Sequence, residues 1–263
     1  MEDYTISHSK HPVAIVTGAS RGLGRAIALA LAEDGCALAL TARDADALAD
    51  VAKEAENRGA PQALVLPADL KRKEVPTILI ADVMKRFGRI DRLVNNAGDT
   101  QRGDFLDLAD DLHLSGFALK YHATVRMCRA AWPHLRQARG CIVNIAGIGA
   151  QTPDPEFSIG GPVNSALINF SKAISKRADA PRVNVVCPGH IETDRLSRRI
   201  AAYAKEFDLS REEAARQMRE SLGIAAYGKP QDIAAMVRYL CSSDANYITG
   251  ANFTVDGGTT QGI

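Results

Sequence analysis

The sequence predicts an α/β protein in which helices cover both faces of a parallel sheet. Two observations predict this fold class: short apolar runs alternate with segments of helical period, and no Pro/Gly-rich linker or internal repeat divides the 263 residues. Each return to a parallel strand needs a crossover connection, and the alternation supplies a helix for it. We therefore expect one doubly wound domain, residues 1–263, with about seven parallel strands.

The predicted elements follow one another along the chain after an N-terminal tail, and one segment breaks the alternation. Residues 1–11 are polar and predict an N-terminal tail. Residues 192–227 are rich in arginine and alanine, have helical period and contain no strand, so they predict a helical insertion that forms a lid over the strand ends. The predicted strands are Val13–Val16, Ala37–Thr41, Ala63–Leu66, Leu93–Val94, Ile142–Ile145, Arg182–Val186 and Phe253–Val255, and the predicted helices are Gly24–Asp34, Ala45–Asn57, Val75–Phe87, a helix through Trp132, Asn164–Arg177 and Gln231–Cys241.

Composition excludes several classes of partner. Thirty-two Lys and Arg residues against 31 Asp and Glu leave no global field, so we expect neither a nucleic-acid nor a membrane partner. No apolar run approaches the ~20 residues that span a bilayer, and residues 1–11 lack a signal-peptide core, so we expect a cytoplasmic protein. The five cysteines are scattered without metal-ligand spacing, which predicts core residues and no metal site.

A glycine-rich loop follows the first predicted strand. It reads Thr17-Gly18-Ala19-Ser20-Arg21-Gly22-Leu23-Gly24-Arg25, and a helix begins at once. Glycines there allow a tight turn and a close approach of the backbone to a pyrophosphate, and the helix N-terminus supplies N–H groups to the phosphates. The loop therefore predicts a dinucleotide site that includes Gly18, Ser20, Arg21, Gly22, Leu23 and Gly24.

The spacing of this loop and four further motifs resemble the short-chain dehydrogenase/reductase family. The motifs are Ala68-Asp69-Leu70, Leu93-Val94-Asn95-Asn96-Ala97-Gly98, Val186-Cys187-Pro188-Gly189-His190-Ile191-Glu192-Thr193 and Val255-Asp256-Gly257-Gly258, so the resemblance spans residues 12 to 258. It implies a Rossmann fold and an oxidoreductase with a nicotinamide cofactor. The further cofactor-binding residues that it implies are Asp69, Leu70, Asn96, Ala97, Gly98, Asn164, Pro188, Gly189, Ile191 and Thr193.

The residues after the second strand bear on the choice between NAD and NADP. An acidic side chain there accepts a hydrogen bond from the ribose 2′-OH of NAD, whereas arginine favours the 2′-phosphate of NADP. Here Ala42 stands where an aspartate would select NAD, and Arg43 follows it. Arg43 and Arg21 together could bind the phosphate, so we expect NADP(H) over NAD(H). The alternative is that both arginines are solvated surface charges.

The catalytic residues that the resemblance implies are not present. The family uses a tyrosine and a lysine four residues later, with a serine and an asparagine, and no Tyr-x-x-x-Lys occurs in this chain. Matching Leu167–Lys172 and Gly140–Gly147 to the family's segments aligns Gly147, Gly160 and Asn164 with the serine, tyrosine and lysine. Matching Ala130–Leu135 aligns Lys120 with the asparagine.

Lys120 is the one new cation that this alignment brings to the site. A desolvated lysine has a lowered pKa and could act as acid, base or oxyanion partner, so Lys120 is our candidate catalytic residue. Two alternatives stay open: Lys120 points to solvent, or it makes a structural contact with Asn164. Gly147 and Gly160 also predict a larger cavity beside the nicotinamide.

The sequence leaves three functions open. They are an NADP(H)-dependent oxidoreductase acting on the carbonyl or alcohol of a small molecule, a non-redox enzyme (isomerase, dehydratase or cyclase), and a catalytically silent nucleotide-binding protein. We favour the first. Relatives pair through the helices corresponding to Leu119–Leu135 and Asn164–Arg177, which predicts a homodimer or homotetramer. The loops expected to contact substrate, 99–108, 150–159 and 193–227, hold no decisive motif.

Overall fold

A computed structural model describes residues 9–261 and has a seven-stranded parallel sheet in the order β3-β2-β1-β4-β5-β6-β7. The order reverses at β1, which is the doubly wound arrangement that the alternation of strands and helices predicts. The predicted fold class is therefore confirmed. The strands are β1 Val13–Thr17, β2 Ala37–Ala42, β3 Ala63–Pro67, β4 Arg92–Asn95, β5 Cys141–Ile145, β6 Arg182–Pro188 and β7 Asn252–Val255.

Helices connect the strands and cover both faces of the sheet. Within the described residues, each predicted helix is present and its ends shift by a few residues. The helices are α1 Gly22–Glu33, α2 Ala45–Asn57, α3 Val75–Phe87, α4 Asp110–Phe117, α5 Ala123–Gln137, α6 Gly160–Ser175, α7 Asp194–Glu206, α8 Arg211–Ser221 and α9 Pro230–Cys241.

The core forms two apolar layers, one on each face of the sheet. α1, α2 and α9 pack on one layer, and α3 and α5 pack on the other. Every residue of β1 and β5 is buried, as expected for central strands of a parallel sheet. All five cysteines are buried and unpaired, so their prediction as core residues is confirmed.

A buried chain of polar side chains joins β4, β5 and α6 beneath the carboxyl ends of the strands. Asn95 donates to Asn144 at 2.9 Å, and Asn144 donates to the Ser171 hydroxyl at 2.8 Å. Ser171 in turn donates to the Leu167 carbonyl at 2.7 Å. Because buried polar groups without partners are costly, this chain fixes the relative positions of the three elements.

Three segments add to or depart from the sequence expectations. The helix through Trp132 contains a π-helical turn at Ala118–His122, between α4 and α5. The segment 192–227 contains the two helices α7 and α8, which pack on each other through a small apolar cluster. Of the predicted tail 1–11, residues 1–8 lie outside the described residues. Among residues 9–261, no helix is long and apolar enough to cross a membrane, and no group of His, Cys, Asp or Glu side chains could hold a metal ion.

Candidate active site

The glycine-rich loop makes a tight turn at the carboxyl end of β1. Gly18 has a φ of +66° and Gly22 of +55°, in the left-handed region that favours glycine. A Cβ on Gly24 would lie 2.1 Å from the carbonyl oxygen of Gly18, so α1 packs against the loop more closely than any side chain would permit. Leu23 packs on the core behind the loop, and Ser20 is half-buried.

The first turn of α1 has no capping side chain. Arg21 occupies the N-cap position with extended backbone and makes no side-chain cap hydrogen bond, and the turn holds no acidic residue. By contrast, the Asp44 carboxylate caps α2 by accepting from Ala47 N at 3.1 Å. The free N–H groups and the helix dipole at α1 therefore suit an external anion such as a phosphate.

The segment after β4 is hydrogen-bonded to the glycine loop. The Thr17 hydroxyl accepts from the backbone N–H groups of Asn96 and Ala97 at 2.9 and 3.0 Å. The Asn96 side chain donates to the carbonyls of Thr17 and Gly18 at 3.0 and 3.2 Å. Asn96 thus supports the loop and satisfies its carbonyls, and its side chain is occupied by these bonds.

The two arginines of the proposed phosphate site lie in different surroundings. Arg43 is exposed and forms no ion pair or side-chain hydrogen bond within residues 9–261. Arg21 lies 3.8 Å from the Asp194 carboxylate at the start of α7, and both side chains are more than two-thirds exposed. Such a pair is weak, so the guanidinium is available to a stronger anion. The structure records no contact between Arg21 and Arg43.

Helix α7 reaches over the strand ends toward β4. The methyl group of Thr193 would lie 3.6 Å from a Cβ on Gly22. Arg195 donates to the carbonyl oxygen of Gly98 at 3.2 Å and lies 3.8 Å from Asp99. The start of α7 therefore contacts both the glycine loop and the end of β4.

The other residues implied by the resemblance lie around the same strand ends. Leu70 is buried, and the Asp69 carboxylate accepts from Lys71 N at 3.0 Å. Pro188 ends β6, and Gly189 N donates to the Val255 carbonyl at 3.0 Å. Ile191 is buried and forms a β-bridge with Gly228.

Lys120 lies in the π-helical turn and its side chain is only 9% exposed. Nζ donates to the Ala146 carbonyl at 2.8 Å, at the end of β5, and the aliphatic stem packs over Gly98 at the end of β4. Burial, followed by the positive charge of Arg195, lowers the pKa of Lys120 to about 7. The solvent-facing alternative for Lys120 is therefore wrong, and its recorded hydrogen bond goes to Ala146 instead of Asn164.

Other side chains take up the space that Gly147 and Gly160 leave, and the larger cavity that the sequence predicts there stays a prediction. A Cβ on Gly160 would lie 2.0 Å from the ring of Phe157, which folds back over the start of α6. A Cβ on Gly147 would lie 3.0 Å from the amide nitrogen of Asn164. Asn164 is 2% exposed and its Oδ1 has no hydrogen-bond partner within the described residues.

Sequence reasoning missed the residues that hold Phe157 in place. The Arg102 guanidinium lies over the Phe157 ring, 4.9 Å from its centroid, and forms an ion pair with Asp154. A hydrogen bond of 2.9 Å from Gly103 N to the Glu156 carbonyl joins the same two loops. Glu156 is an exposed charge, 3.9 Å from Arg102. The Tyr121 ring packs edge-to-face on Phe170, with the ring centroids 6.0 Å apart.

Comparison with known proteins agrees with this arrangement. Residues 18–260 match the family described as enoyl-(acyl carrier protein) reductase. The chain is 33% identical to a 3-oxoacyl-[acyl-carrier-protein] reductase from Synechocystis sp., over 94% of this chain and 96% of the relative. It is 30% identical to the NADPH-dependent reductase BacG from Bacillus subtilis, over 95% of this chain and 98% of the relative.

A solved structure is similar over almost the whole chain. L-sorbose reductase from Gluconobacter frateurii, complexed with NADPH and L-sorbose, superposes with a TM-score of 0.91 at 29% identity. The match covers 98% of this chain and 99% of that one. Together with the glycine loop, the NNAG segment and the strand order, these matches show that the chain belongs to the short-chain dehydrogenase/reductase family of oxidoreductases.

Proposed function

We propose that this protein transfers hydride between NADP(H) and the carbonyl or alcohol group of a small molecule, with Lys120 as the proton donor or acceptor. The observation that carries the proposal is the buried Lys120, whose amino group lies at the ends of β4 and β5 and whose pKa is about 7. A proton donor works best when its pKa is near the working pH.

The residues around the glycine loop fit a dinucleotide phosphate. The uncapped first turn of α1 offers N–H groups, and the absence of a side chain at Gly24 lets this turn pack closely on the Gly18 carbonyl. Arg43 and Arg21 carry charges that suit the 2′-phosphate, and the relatives described with NADPH support this choice. We propose that Gly18, Ser20, Gly22, Leu23, Asp69, Leu70, Asn96, Ala97, Gly98, Asn164, Pro188, Gly189, Ile191 and Thr193 complete the cofactor site.

A bound nicotinamide supplies or accepts the hydride. When a ketone is reduced, negative charge develops on its oxygen, and the Lys120 ammonium both stabilises that charge and donates a proton to it. The hydrogen bond to Ala146 fixes one N–H of Lys120 and leaves two others for the substrate oxygen. Gly147 and Gly160 carry no hydroxyl, and Phe157 covers Gly160, so in this proposal none of them donates the proton.

Nucleotide titration tests the proposed cofactor. We expect NADPH to bind more tightly than NADH, and Arg43→Gln to remove most of the difference because a charge-assisted contact to phosphate is lost. Arg86→Gln, an exposed arginine on α3, is the matched control and should leave both affinities unchanged. Equal affinity of the wild type for the two nucleotides would contradict the choice of NADP(H).

Turnover of a reactive ketone tests the role of Lys120. We expect slow NADPH consumption that falls by about 10²–10⁴ in Lys120→Met, the usual contribution of a general acid. The reduction rate should fall as the pH rises through about 7, because only the protonated lysine donates, and alcohol oxidation should show the opposite trend. Product formation without a change in cofactor redox state would favour a non-redox enzyme instead.

Lys172→Met is the matched control for that experiment. Lys172 also donates to a backbone carbonyl, that of Gly250 at 2.9 Å, but it is exposed and lies at the far end of α6. Its substitution should leave both the rate and the pH profile unchanged. Equal losses in the two variants would remove Lys120 from the mechanism.

We also propose that segment 192–227 acts as a lid and that the chain forms a homodimer or homotetramer. The lid is supported by the contacts of α7 with Gly22 and Gly98. Association is supported by apolar side chains at α4 and the loop before it, where Phe105, Leu106 and Leu114 are more than half exposed. Light scattering of the purified protein tests the oligomer, and a monomer at micromolar concentration would contradict it.

A further inference from the structure

Three basic side chains from three separate segments lie close enough for their charges to influence one another at α7. Arg102 lies in the loop after β4, His190 follows the end of β6, and Arg199 lies on α7. The Arg199 guanidinium is 3.4 Å from the Nε2 atom of His190. Burial, followed by the charges of Arg199 and Arg102, lowers the pKa of His190 to about 4, so the imidazole is neutral at pH 7.

The two arginines differ in their partners. Arg102 is neutralised by its ion pair with Asp154, and Glu156 lies at 3.9 Å. Arg199 forms no ion pair within residues 9–261, and its one recorded polar contact there is His190. A half-buried guanidinium has five N–H donors and a charge that is costly to leave unpaired. The Asp154 and Glu156 carboxylates act on Arg199 only from beyond ion-pair distance, so Arg199 is the arginine in this cluster with no directly bonded anion.

The position of Arg199 on α7 relates it to Lys120 at the ends of β4 and β5. Arg195 and Arg199 are four residues apart and so lie on the same face of α7, roughly 6 Å apart along its axis. Arg195 contacts the carbonyl of Gly98, and the stem of Lys120 packs on that same glycine. A small molecule under this face of α7 could place one end near Lys120 and the other near Arg199.

We propose that the substrate carries an anionic group, a carboxylate or a phosphate, that Arg199 binds beside His190. This proposal rests on the proposed function, because it assigns a carbonyl to the Lys120 end of the same molecule. A guanidinium binds either anion through two parallel N–H donors, which gives orientation as well as affinity. An anion four or five bonds from the carbonyl carbon spans roughly the 6 Å that separates Arg195 and Arg199 along the axis of α7.

Binding of a matched series of ketones tests the proposal without hydride transfer. The probes are 5-oxohexanoate, its methyl ester, and 4-oxopentyl phosphate, each titrated by calorimetry into protein saturated with NADP⁺, which cannot reduce them. We expect the acid or the phosphate to bind about 10- to 100-fold more tightly than the ester. Preference for both anions means that charge alone is recognised, and preference for one identifies the group. An ester that binds as tightly as both anions overturns the proposal.

Two variants on the same helix separate a specific role from a general one. Arg199→Gln should abolish the preference for the anion while leaving NADP⁺ affinity and thermal stability near wild type. Arg198→Gln, an exposed neighbour, should retain the preference. Equal effects of the two variants, or weaker NADP⁺ binding in Arg199→Gln, would overturn the assignment. Failure of the turnover test alone leaves this binding result standing, whereas failure here leaves reduction of uncharged ketones unaffected.

Discussion

Burial of the Lys120 amino group makes folding stability depend on pH in a way that one substitution isolates. The pKa falls from 10.5 to about 7 on folding, so between these values the unfolded chain binds more protons than the folded one. Stability therefore rises with pH across this window. Compared with a lysine whose pKa does not change on folding, Lys120 lowers the free energy of unfolding by about 4 kcal/mol at pH 7 and by about 2 kcal/mol at pH 9.

Lys120→Met removes this dependence while keeping an unbranched side chain of similar length. Urea unfolding of wild type and variant, at one protein concentration and at pH 7, 8 and 9, gives the difference in unfolding free energy at each pH. We expect the difference in unfolding free energy between Lys120→Met and wild type to shrink by about 2 kcal/mol from pH 7 to pH 9. It shrinks because deprotonation of Lys120 in the folded wild type costs less at the higher pH. Other titrating groups are common to both chains and cancel in the difference.

Lys172→Met controls for the loss of a lysine bonded to a backbone carbonyl. Because Lys172 is exposed, the difference in unfolding free energy between Lys172→Met and wild type should not change across the same pH values. A flat difference for Lys120→Met as well would refute the argument that Lys120 is desolvated. It would also remove the reason for expecting a proton donor that works near neutral pH.

Three further predictions concern the loop, the Phe157 ring and the polar chain. Gly24→Val should abolish NADPH binding in a fluorescence titration, because even a Cβ there meets a backbone oxygen at 2.1 Å; retained affinity would contradict the packing. Gly160→Ala should lower the midpoint of thermal unfolding, and the loss should shrink in a Phe157→Ala background, because the clash is with that ring; additive losses would show that the two sites are independent. Asn144→Ala should cost about 1–3 kcal/mol in urea unfolding because Asn95 and Ser171 lose a buried partner; an unchanged midpoint would mean that water replaces the amide.

The strands of the sheet could be predicted from the sequence because local patterns of apolar and polar residues determine them. Alternation of apolar runs with helical segments depends on residues close together in the chain, and the predicted strands overlap all seven that the structure describes. The π-helical turn was not predicted, because its sequence has an ordinary helical pattern. The turn differs from an α-helix only in which backbone groups form hydrogen bonds. That turn contains Lys120. The sequence therefore identified Lys120 as a candidate but left open whether its side chain is buried.

The side chain that occupies the space at Gly160 was not predicted, because long-range contacts hold it there. Glycine at 160 does remove a side chain, but Phe157, three residues earlier, returns to fill the space. What holds it there is Arg102, from a loop more than fifty residues away in the chain. Pairing between distant loops has no local signature in the sequence.

The hydrogen bonds between Thr17, Asn96 and Ala97 have a consequence for affinity. They join the glycine loop to the segment after β4, so the distance between these two segments is fixed before any ligand binds. The conformational entropy of these loops is lost when the chain folds, so it does not have to be lost again when a ligand binds. The folded scaffold is thus preorganised, and the hydrogen bonds of Thr17 and Asn96 set part of its affinity for a ligand before that ligand binds.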